Sequence, residues 1–554
     1  MEENKIKRFN ILAICLIMIF CFSITPITLQ NDTYYTIAIG KHISQNGIDM
    51  KDPFSWHENL PYTYPHWLYD LGTYYIYNIG ETIHSNGGFP AIYIATIILS
   101  MILGIVIYIT NTKLCKNNIV SFVITIASIY LLKPYIAARA QLVTFILFIL
   151  TILFIEQYLE TKHKRYIAGL LIIPILIANI HVAVWPFYFI LFLPYIAEYV
   201  LANVSDTHRK IELKVNSFIL KRKISKNKNT EKLEAKIDLN KKIWDKIKAY
   251  QEDKRNNPYK IKIQNEPATK VLIIIMIISI FTGFLTPLGT TPFTYLIKTR
   301  EGNTMEYINE HLPLTLVNNE SFLITITLFL VILMFTKVKI KLSDLIMFAG
   351  LLLLAFMTRR QVSMFVLICN FIFAKLITDL LEMYAQNFTS IITQKINTNI
   401  GSIILILLIV ALSVYMFKPK IENKIVDYKV YPVDAAEYIL NSLDIGSIRL
   451  FNEYNYGSYL LFKGIPVFID SRADLYAPEF NRSLSEDGKL DEGRDIFTDF
   501  MYVSNLSKHY EDIFSKYDIT HVILKKNSKV NNFISKDNKY KMIYEDKSFV
   551  IYER

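Results

Sequence analysis

Cysteine is scarce in this 554-residue chain and absent from its polar segments. The four cysteines, Cys15, Cys21, Cys115 and Cys369, lie in apolar runs or in a short loop between two of them. Residues 30–88 and 418–554 contain none. A disulfide framework or a thiolate metal site is therefore excluded in those segments.

Other familiar sequence signals are also missing. The chain has no Walker A loop, no GxGxxG pattern, no internal repeat and no low-complexity tract. The first apolar run, Phe9 to Leu29, has about the 20 residues that cross a bilayer. It lacks the small-residue cleavage pattern of a signal peptide before Asn31, so we expect it to be retained as a membrane span.

Apolar residues, by contrast, are abundant. They make up 52% of the chain, and the mean hydropathy of +0.29 is too high for one soluble core. The sequence predicts a polytopic α-helical membrane protein with about 11 transmembrane helices. After Phe9–Leu29, the predicted runs are Phe89–Thr110, Ile119–Leu132, Leu142–Leu159, Tyr166–Ala178, Val182–Leu201, Val271–Leu285, Phe322–Phe335, Leu342–Met357, Val362–Leu381 and Ser402–Phe417. An alternative is that Tyr166–Leu201 forms one bent or re-entrant segment.

Basic residues indicate the orientation of these spans. Lys5, Lys7 and Arg8 place the N-terminus in the cytoplasm, and an odd number of spans then places the C-terminus outside. The net charge of +11 comes almost entirely from residues 204–270. We predict a solvated cytoplasmic loop there, able to contact anionic lipid, and no nucleic-acid partner.

The character of the sequence changes after residue 417. Residues 1–417 form the predicted membrane domain, and residues 418–554 predict a soluble extracytoplasmic α/β domain. Its predicted helix is Pro432–Leu443, and its predicted strands are Ser447–Phe451, Val467–Ile469 and His521–Leu524, followed by a hairpin of Lys541–Tyr544 and Phe549–Tyr552.

The first outer loop, residues 30–88, carries polar side chains among many aromatic ones. Asp32 follows the first span, close to the predicted membrane surface, and His66, Trp67 and Asp70 stand further along. Carboxylates and aromatic rings together suit the binding of a sugar. The alternative is an aromatic belt in which tryptophan and tyrosine only anchor the loop at the depth of the head groups.

Arginines at the predicted outer ends of spans are unusual, because basic residues favour the inner side. Arg139, Arg359 and Arg360 are such residues, and guanidinium groups bind phosphate with two parallel hydrogen bonds. They are candidates to bind a lipid phosphate. The alternative is that each extends to the lipid head groups or pairs with an acidic neighbour.

Two further sets of polar residues are candidates for the site. His181, Glu310 and His311 could complete a divalent-metal site with Asp32. In the soluble domain, Asp470, Arg472 and Asp474 alternate after a predicted strand, which places them on one face. Asp470 and Arg472 could bind an acceptor, or the set could form an ion-pair network that docks the domain.

The order of short motifs resembles the GT-C superfamily of polytopic glycosyltransferases, especially bacterial proteins similar to the family-39 protein mannosyltransferases and the lipid A aminoarabinose transferases. The motifs are Asp32 after the first span, Asp52-Pro53-Phe54-Ser55, His66-Trp67-Leu68, Ala138-Arg139-Ala140-Gln141-Leu142, Ala178-Asn179-Ile180-His181, Thr286-Pro287-Leu288-Gly289, Arg359-Arg360, and, in the soluble domain, 452–460 and 467–476. The resemblance covers most of the chain except the basic loop.

This resemblance implies a polyprenyl-phosphate-linked sugar donor and an acceptor hydroxyl. It implies that Asp32 is the catalytic carboxylate and that arginines neutralise the departing phosphate. The paired acidic residues of the mannosyltransferases are absent, because Asn31 and Thr33 flank Asp32, and no second-loop carboxylate is obvious.

The sequence therefore predicts a plasma-membrane glycosyltransferase that acts on an extracytoplasmic glycan, lipid or protein. Two alternatives stay open: a transporter or flippase for a lipid-linked saccharide, which needs the arginines but no base, and a non-catalytic cell-envelope assembly protein.

Overall fold

A computed structural model describes residues 2–204, 215, 260–302, 307–317, 319–482 and 492–554. Most of the basic loop predicted at residues 204–270 lies outside the described residues. Seven helices of the described chain are long and apolar enough to cross a membrane. They are Ile6–Ile24, Gly88–Cys115, Asn118–Tyr135, Ala140–Thr161, Val182–Val204, Arg359–Tyr384 and Asn399–Lys420.

Four shorter helices account for the remaining predicted spans. They are Lys164–Ile180, Thr269–Phe284, Glu320–Phe335 and Leu342–Met357. Each of the eleven predicted runs is thus helical, and we call these helices the membrane bundle. Tyr166–Leu201 is not one continuous helix, because the backbone leaves the helical conformation at His181, with φ −160° and ψ 79°, and a bent or re-entrant path for this segment stays a prediction.

The first outer loop is more regular than expected. It forms two helices, Asn31–Asn46 and Trp67–Ile83, which pack against each other over one end of the membrane bundle. We call them the capping helices, and we call the end of the bundle that they cover the domain face. The other described α-helices before residue 399 are Thr291–Glu301 and Phe388–Ile396.

We call the two capping helices and the loop between them, residues 31–83, the capping region. Its aromatic side chains form a core with the C-terminal domain, residues 418–554. Tyr34 is fully buried, and its ring lies 4.8 Å from that of Tyr431 and 5.1 Å from that of Tyr459. Tyr62 and Tyr64 are buried as well. The rings of Tyr34 and Tyr64 are therefore packed inside the protein, whereas Tyr62 lines the cavity described below, and sugar binding by the aromatic residues of this loop stays a prediction.

A small mixed sheet organises the C-terminal domain. Its strands run in the order β1 (Leu450–Phe451), β2 (His521–Lys525), β4 (Phe549–Glu553), β3 (Lys541–Glu545). β1 and β2 are parallel, whereas β2, β4 and β3 pair antiparallel, which confirms the predicted hairpin. The helices around it are Val433–Ser442, Tyr454–Phe462, Pro478–Asn481, Ile496–Asn505, Tyr510–Lys516 and Asn531–Ile534.

The predicted strand Val467–Ile469 is wrong. Val467 makes a single parallel bridge with Ser55 of the capping region, and no regular strand follows. Asp470, Arg472 and Asp474 therefore do not share one strand face. Asp474 lies instead in a 3-10 turn, Ala473–Tyr476, and accepts a hydrogen bond from the Tyr295 hydroxyl.

Arg472 joins the capping region to the C-terminal domain. Its Nε and Nη2 donate to the two carboxylate oxygens of Asp470 at 2.8 Å and 2.7 Å, and its Nη1 donates to Oδ1 of Asp52 at 2.7 Å. The Arg472 side chain is 3% exposed, and both carboxylates are fully buried. The structure thus shows the ion-pair network that was one of the two expected alternatives for this motif.

Asp70 is the opposite case of a buried carboxyl. It is fully buried in the second capping helix, and neither of its side-chain oxygens has a hydrogen-bond partner. Burial raises the pKa of Asp70 well above its usual value, although the charge of Arg472 acts in the other direction. Burial therefore favours the neutral form of the Asp70 carboxyl group.

The Arg472→Met variant should loosen the contact between the capping helices and the C-terminal domain. Removing one partner of a buried ion pair leaves two uncompensated carboxylates, which costs about 3–5 kcal/mol of stability. The check is thermal and denaturant unfolding of the purified protein in detergent. Arg449→Met is the control, because Arg449 pairs with an exposed Asp518 at 3.3 Å and should matter little. Equal losses in the two variants would contradict the assignment.

The Asp70→Asn variant should be more stable than the wild-type protein at neutral pH. Because the folded pKa of Asp70 is raised, its ionisation penalises folding increasingly as pH rises above the unfolded value of about 3.9. The gain should vanish near pH 4 and grow toward pH 8 in unfolding experiments. A gain independent of pH would refute this explanation.

Asp52→Asn is the matched comparison, because its effect on stability should be opposite to that of Asp70→Asn. Burial opposes ionisation of Asp52, but the charge of Arg472 and hydrogen bonds from Ser55 outweigh it and lower the pKa of Asp52. Its contribution to stability is complete above about pH 4 and is lost as pH falls through the lowered pKa. At neutral pH this variant should therefore be less stable than the wild type.

Candidate active site

A cavity of about 990 Å³ lies between the membrane bundle and the C-terminal domain, at the domain face. Its wall is formed by the ends of several bundle helices, by the capping helices, by helix Thr291–Glu301 and by the C-terminal domain. Eight of the residues predicted for the site line it: Asp32, His66, Arg139, His181, Glu310, His311, Arg360 and Arg472.

Asp32 stands in the first turn of the first capping helix, where the helix dipole favours a negative charge. Its Oδ2 lies 2.8 Å from Nε of Arg139, which precedes the bundle helix Ala140–Thr161. The Nε–H is not aimed for a hydrogen bond, so the contact is chiefly one of charge. Arg139 Nη1 also lies 3.4 Å from Oε1 of Glu310.

Glu310 is therefore a second carboxylate of this site, although no second-loop carboxylate was obvious from the sequence. It was expected as a metal ligand, whereas in the structure its contact is with Arg139. The signal in the sequence is only an acidic residue in a loop after a span, 171 positions from Arg139. Such a separation leaves no local pattern that could connect them.

The three predicted arginines differ in their surroundings. Arg139 is neutralised by two carboxylates, as just described. Arg360 lines the cavity, and within the described part of the chain its side chain has no hydrogen bond or ion pair. Arg359 does not line the cavity, and its Nε contacts the Pro313 carbonyl at 3.4 Å. Arg360 is thus the arginine free to bind an anion.

Arg300 is a further cation that the sequence argument missed. It lies in the last turn of helix Thr291–Glu301, lines the cavity, and has no ion-pair partner among the described residues. The signal that could have found it is the one used for Arg139, namely a basic residue on the predicted outer side. Tyr295, in the same helix, lines the cavity and binds Asp474.

His66 and His181 form a close pair in the cavity wall. Their ring centroids lie 4.7 Å apart at 62°, and His181 is 2% exposed. Burial, with the charges of Arg360 and Arg139, lowers the pKa of His66 to about 3 and that of His181 well below its usual value. Both imidazoles are therefore neutral at physiological pH.

Within the part of the chain that the structure describes, the side chains expected to hold a metal are not gathered into one cluster. The described residues contain no group of three or more His, Cys, Asp or Glu side chains arranged to hold a metal ion. Asp32 and Glu310 are engaged by Arg139, and His181 packs against His66. In this arrangement these residues do not fit a bound divalent ion, and the metal dependence of the protein stays a prediction.

Besides Arg359, three predicted substrate-binding residues do not line the cavity. Trp67 donates its Nε1–H to Oδ1 of Asn179 at 3.0 Å, and Asp70 and Asp470 lie inside the protein. Arg472 lines the cavity, but its guanidinium is already paired with Asp52 and Asp470. These residues support the site and are not placed to bind a ligand directly.

One part of the cavity wall is apolar. It contains side chains from helix Val182–Val204, from helix Thr291–Glu301 and from the end of helix Leu342–Met357. They are Val184, Phe187, Ile190, Leu296, Leu354 and Met357. The cavity thus has a charged region near the C-terminal domain and an apolar region along the bundle, which suits an amphipathic ligand.

Comparisons with known proteins give a structural relative only. No protein-family model and no curated protein sequence matches the chain. The crystal structure of the Archaeoglobus fulgidus oligosaccharyltransferase, tethered to an acceptor peptide containing the NVT sequon, is similar with a TM-score of 0.51. The match covers 94% of this chain and 69% of that one at 12% sequence identity.

At this identity the likeness speaks for the fold alone. That fold agrees with the expected architecture, a bundle of many apolar helices with a C-terminal sheet-containing domain. The chain is a polytopic α-helical membrane protein with a GT-C-like fold.

Proposed function

We propose that this protein is a membrane glycosyltransferase that transfers a sugar from a polyprenyl-phosphate donor to an extracytoplasmic glycan, lipid or protein. The observation that carries the proposal is the amphipathic cavity, in which the Asp32 carboxylate and the Arg360 guanidinium, which has no ion-pair partner among the described residues, lie beside an apolar wall. The similar Archaeoglobus fulgidus enzyme is an oligosaccharyltransferase with an acceptor peptide, which supports the same kind of reaction here.

The proposed donor fits the two regions of the cavity. A lipid phosphate needs a cationic partner, and Arg360 offers a guanidinium with no partner of its own in the described chain. The polyprenyl chain would follow the apolar wall, where Phe187 and Ile190 lie along one helix. This placement leaves the sugar in the polar region between the bundle and the C-terminal domain.

The proposed chemistry is a displacement at the anomeric carbon of the donor sugar. The acceptor hydroxyl forms a bond to that carbon, and the bond between the carbon and the phosphate oxygen breaks. Asp32 takes the hydroxyl proton as general base, while Arg139 holds the carboxylate in place. The electron pair leaves with the phosphate oxygen, whose charge Arg360 stabilises.

The proposed location is the plasma membrane, with the N-terminus cytoplasmic and the C-terminal domain outside. Lys116 and Lys162 lie at the end of the bundle opposite the domain face, where they pair with Glu160 and Glu266. Basic residues at that end support a cytoplasmic position for it. The cavity would then open to the outer membrane surface.

A transporter for a lipid-linked saccharide is the second candidate, because ionisable residues lie within the bundle. Lys375 Nζ contacts Glu156 Oε1 at 3.0 Å and Asp344 Oδ1 at 3.2 Å. Charged groups inside membrane helices often mark transport pathways. Here they neutralise one another near the helix ends opposite the cavity, which also fits a purely structural role, so catalysis is the better supported proposal.

The Asp32→Asn variant should lose sugar transfer by at least about a hundredfold, the range expected for a general base. Its binding of polyprenyl phosphate should persist, since Arg360 is unchanged. The measurement is transfer of a radiolabelled sugar from a lipid-linked donor by purified protein in nanodiscs. Lipid translocation that survives loss of Asp32, without any transfer by the wild type, would favour the transporter instead.

The neighbouring arginines Arg359 and Arg360 offer a matched test of the phosphate site. Arg360→Gln should weaken binding of undecaprenyl phosphate about ten- to a hundredfold, because a charged hydrogen bond to the phosphate is lost. Arg359→Gln should leave it within about twofold, because Arg359 does not line the cavity. Affinity can be measured by native mass spectrometry. Equal effects of the two substitutions would argue against a phosphate at Arg360.

A further inference from the structure

The pair of histidines in the cavity wall is fixed in place by its neighbours in sequence. The backbone N–H of Val182 donates to the Pro65 carbonyl at 2.9 Å. On the other side, Trp67 donates to the side chain of Asn179 at 3.0 Å. Residues that flank His66 thus form hydrogen bonds with residues that flank His181. These contacts fix the positions of the two rings in the cavity wall.

His181 has an unmet hydrogen-bonding capacity. It is 2% exposed, and its Nδ1 has no partner in the structure. A buried polar atom without a partner costs about 1–3 kcal/mol and calls for an explanation. Filling the core would not require an imidazole at this position, whereas an imidazole that lines a cavity offers a polar group to a ligand.

The protonation state of the pair decides which ligand chemistry it suits. The charges that face it are those of Arg360 and Arg139, and both oppose protonation of the imidazoles. A neutral imidazole has one donor and one acceptor. A phosphate oxygen only accepts hydrogen bonds, whereas a sugar hydroxyl both donates and accepts them. The pair is therefore better matched to hydroxyl groups than to phosphate.

We infer that His66 and His181 form the sugar subsite of the donor and bind its ring hydroxyls beside the phosphate at Arg360. This inference rests on the proposed function. It assigns the recognition of the sugar to neutral groups and the recognition of the lipid phosphate to a cation. It also replaces the expected role of His181 as a metal ligand.

The test compares two probes on the same protein in nanodiscs. One probe is undecaprenyl phosphate, and the other is the same lipid phosphate carrying glucose, galactose, mannose or N-acetylglucosamine in turn. The measured quantity is the ratio of the two dissociation constants for each sugar. The wild type should bind at least one glycosylated lipid about tenfold more tightly than the bare one.

His181→Phe and His66→Phe should each bring this ratio close to one while the affinity for the bare lipid phosphate stays within about twofold. His181→Gln keeps a donor and an acceptor and should retain part of the preference. The four substitutions His181→Phe, His181→Gln, His66→Phe and His66→Gln are judged separately, so failure of one variant to fold leaves the others decisive.

His57→Phe is the matched control. His57 is 6% exposed and its Nε2 lies 2.8 Å from the Phe468 carbonyl oxygen, so it is also a buried histidine, but it does not line the cavity. Its replacement should leave the ratio unchanged. Loss of the sugar preference in this variant as well would show a general effect of buried histidines and overturn the inference.

Other outcomes separate the two proposals. If the wild type binds the bare lipid but gains nothing from any sugar, or if the phenylalanine variants weaken both probes equally, the sugar subsite is refuted and the phosphate site stands. If the wild type binds neither probe, or if Arg360→Gln binds both as well as the wild type, the proposed donor itself is wrong.

Discussion

The buried contact of Arg472 with Asp52 and Asp470 is the constraint on which the site depends. Three charged groups are removed from water there, and their mutual attraction offsets the desolvation only if all three meet in one geometry. Asp52 belongs to the capping region and the other two belong to the C-terminal domain. The contact therefore fixes the position of one relative to the other, and these two parts form opposite sides of the cavity.

The position of Asp32 follows from that arrangement. Next to it, Asn31 donates its side-chain N–H to the Tyr454 carbonyl at 2.9 Å, which connects the first capping helix to the C-terminal domain. On the other side, Arg139 approaches Asp32 from the membrane bundle. Asp32 thus stands where three parts of the chain meet, which is where a lipid-borne donor and an acceptor from outside the membrane would also meet.

Patterns that are local in sequence predicted the fold well. The eleven apolar runs are all helical, and the closing hairpin has the expected partners, because each pattern depends on a few adjacent residues. The capping helices were missed, since their buried side includes polar residues such as Asp70 and Thr73 while Ile79 and Ile83 are exposed. Such a helix has no conventional apolar face for a sequence pattern to detect.

The sequence predicted eight of the residues that line the cavity, but it did not predict the contacts that they make. Sequence position alone gives Arg359 and Arg360 equal standing, and only the 3-10 turn Arg359–Gln361 decides which guanidinium lines the cavity. Likewise, the contacts among Asp32, Arg139 and Glu310 join segments far apart in the chain. The structure places the Glu310 carboxylate beside Arg139 and not in a cluster of metal ligands among the described residues, so its role as a metal ligand stays a prediction.

The distribution of charge around the cavity explains how a phosphate and a base can act side by side. Arg139 is compensated by two carboxylates, so it orders Asp32 without attracting a further anion strongly. Arg360 keeps its full attraction for an anion only if the groups beside it carry no positive charge. Burial keeps His66 and His181 neutral, and a protonated imidazole at either position would compete with Arg360 for the same anion and repel its guanidinium. The depth of the two histidines in the protein thus supports their proposed hydrogen bonds to the sugar and the proposed binding of the phosphate at Arg360.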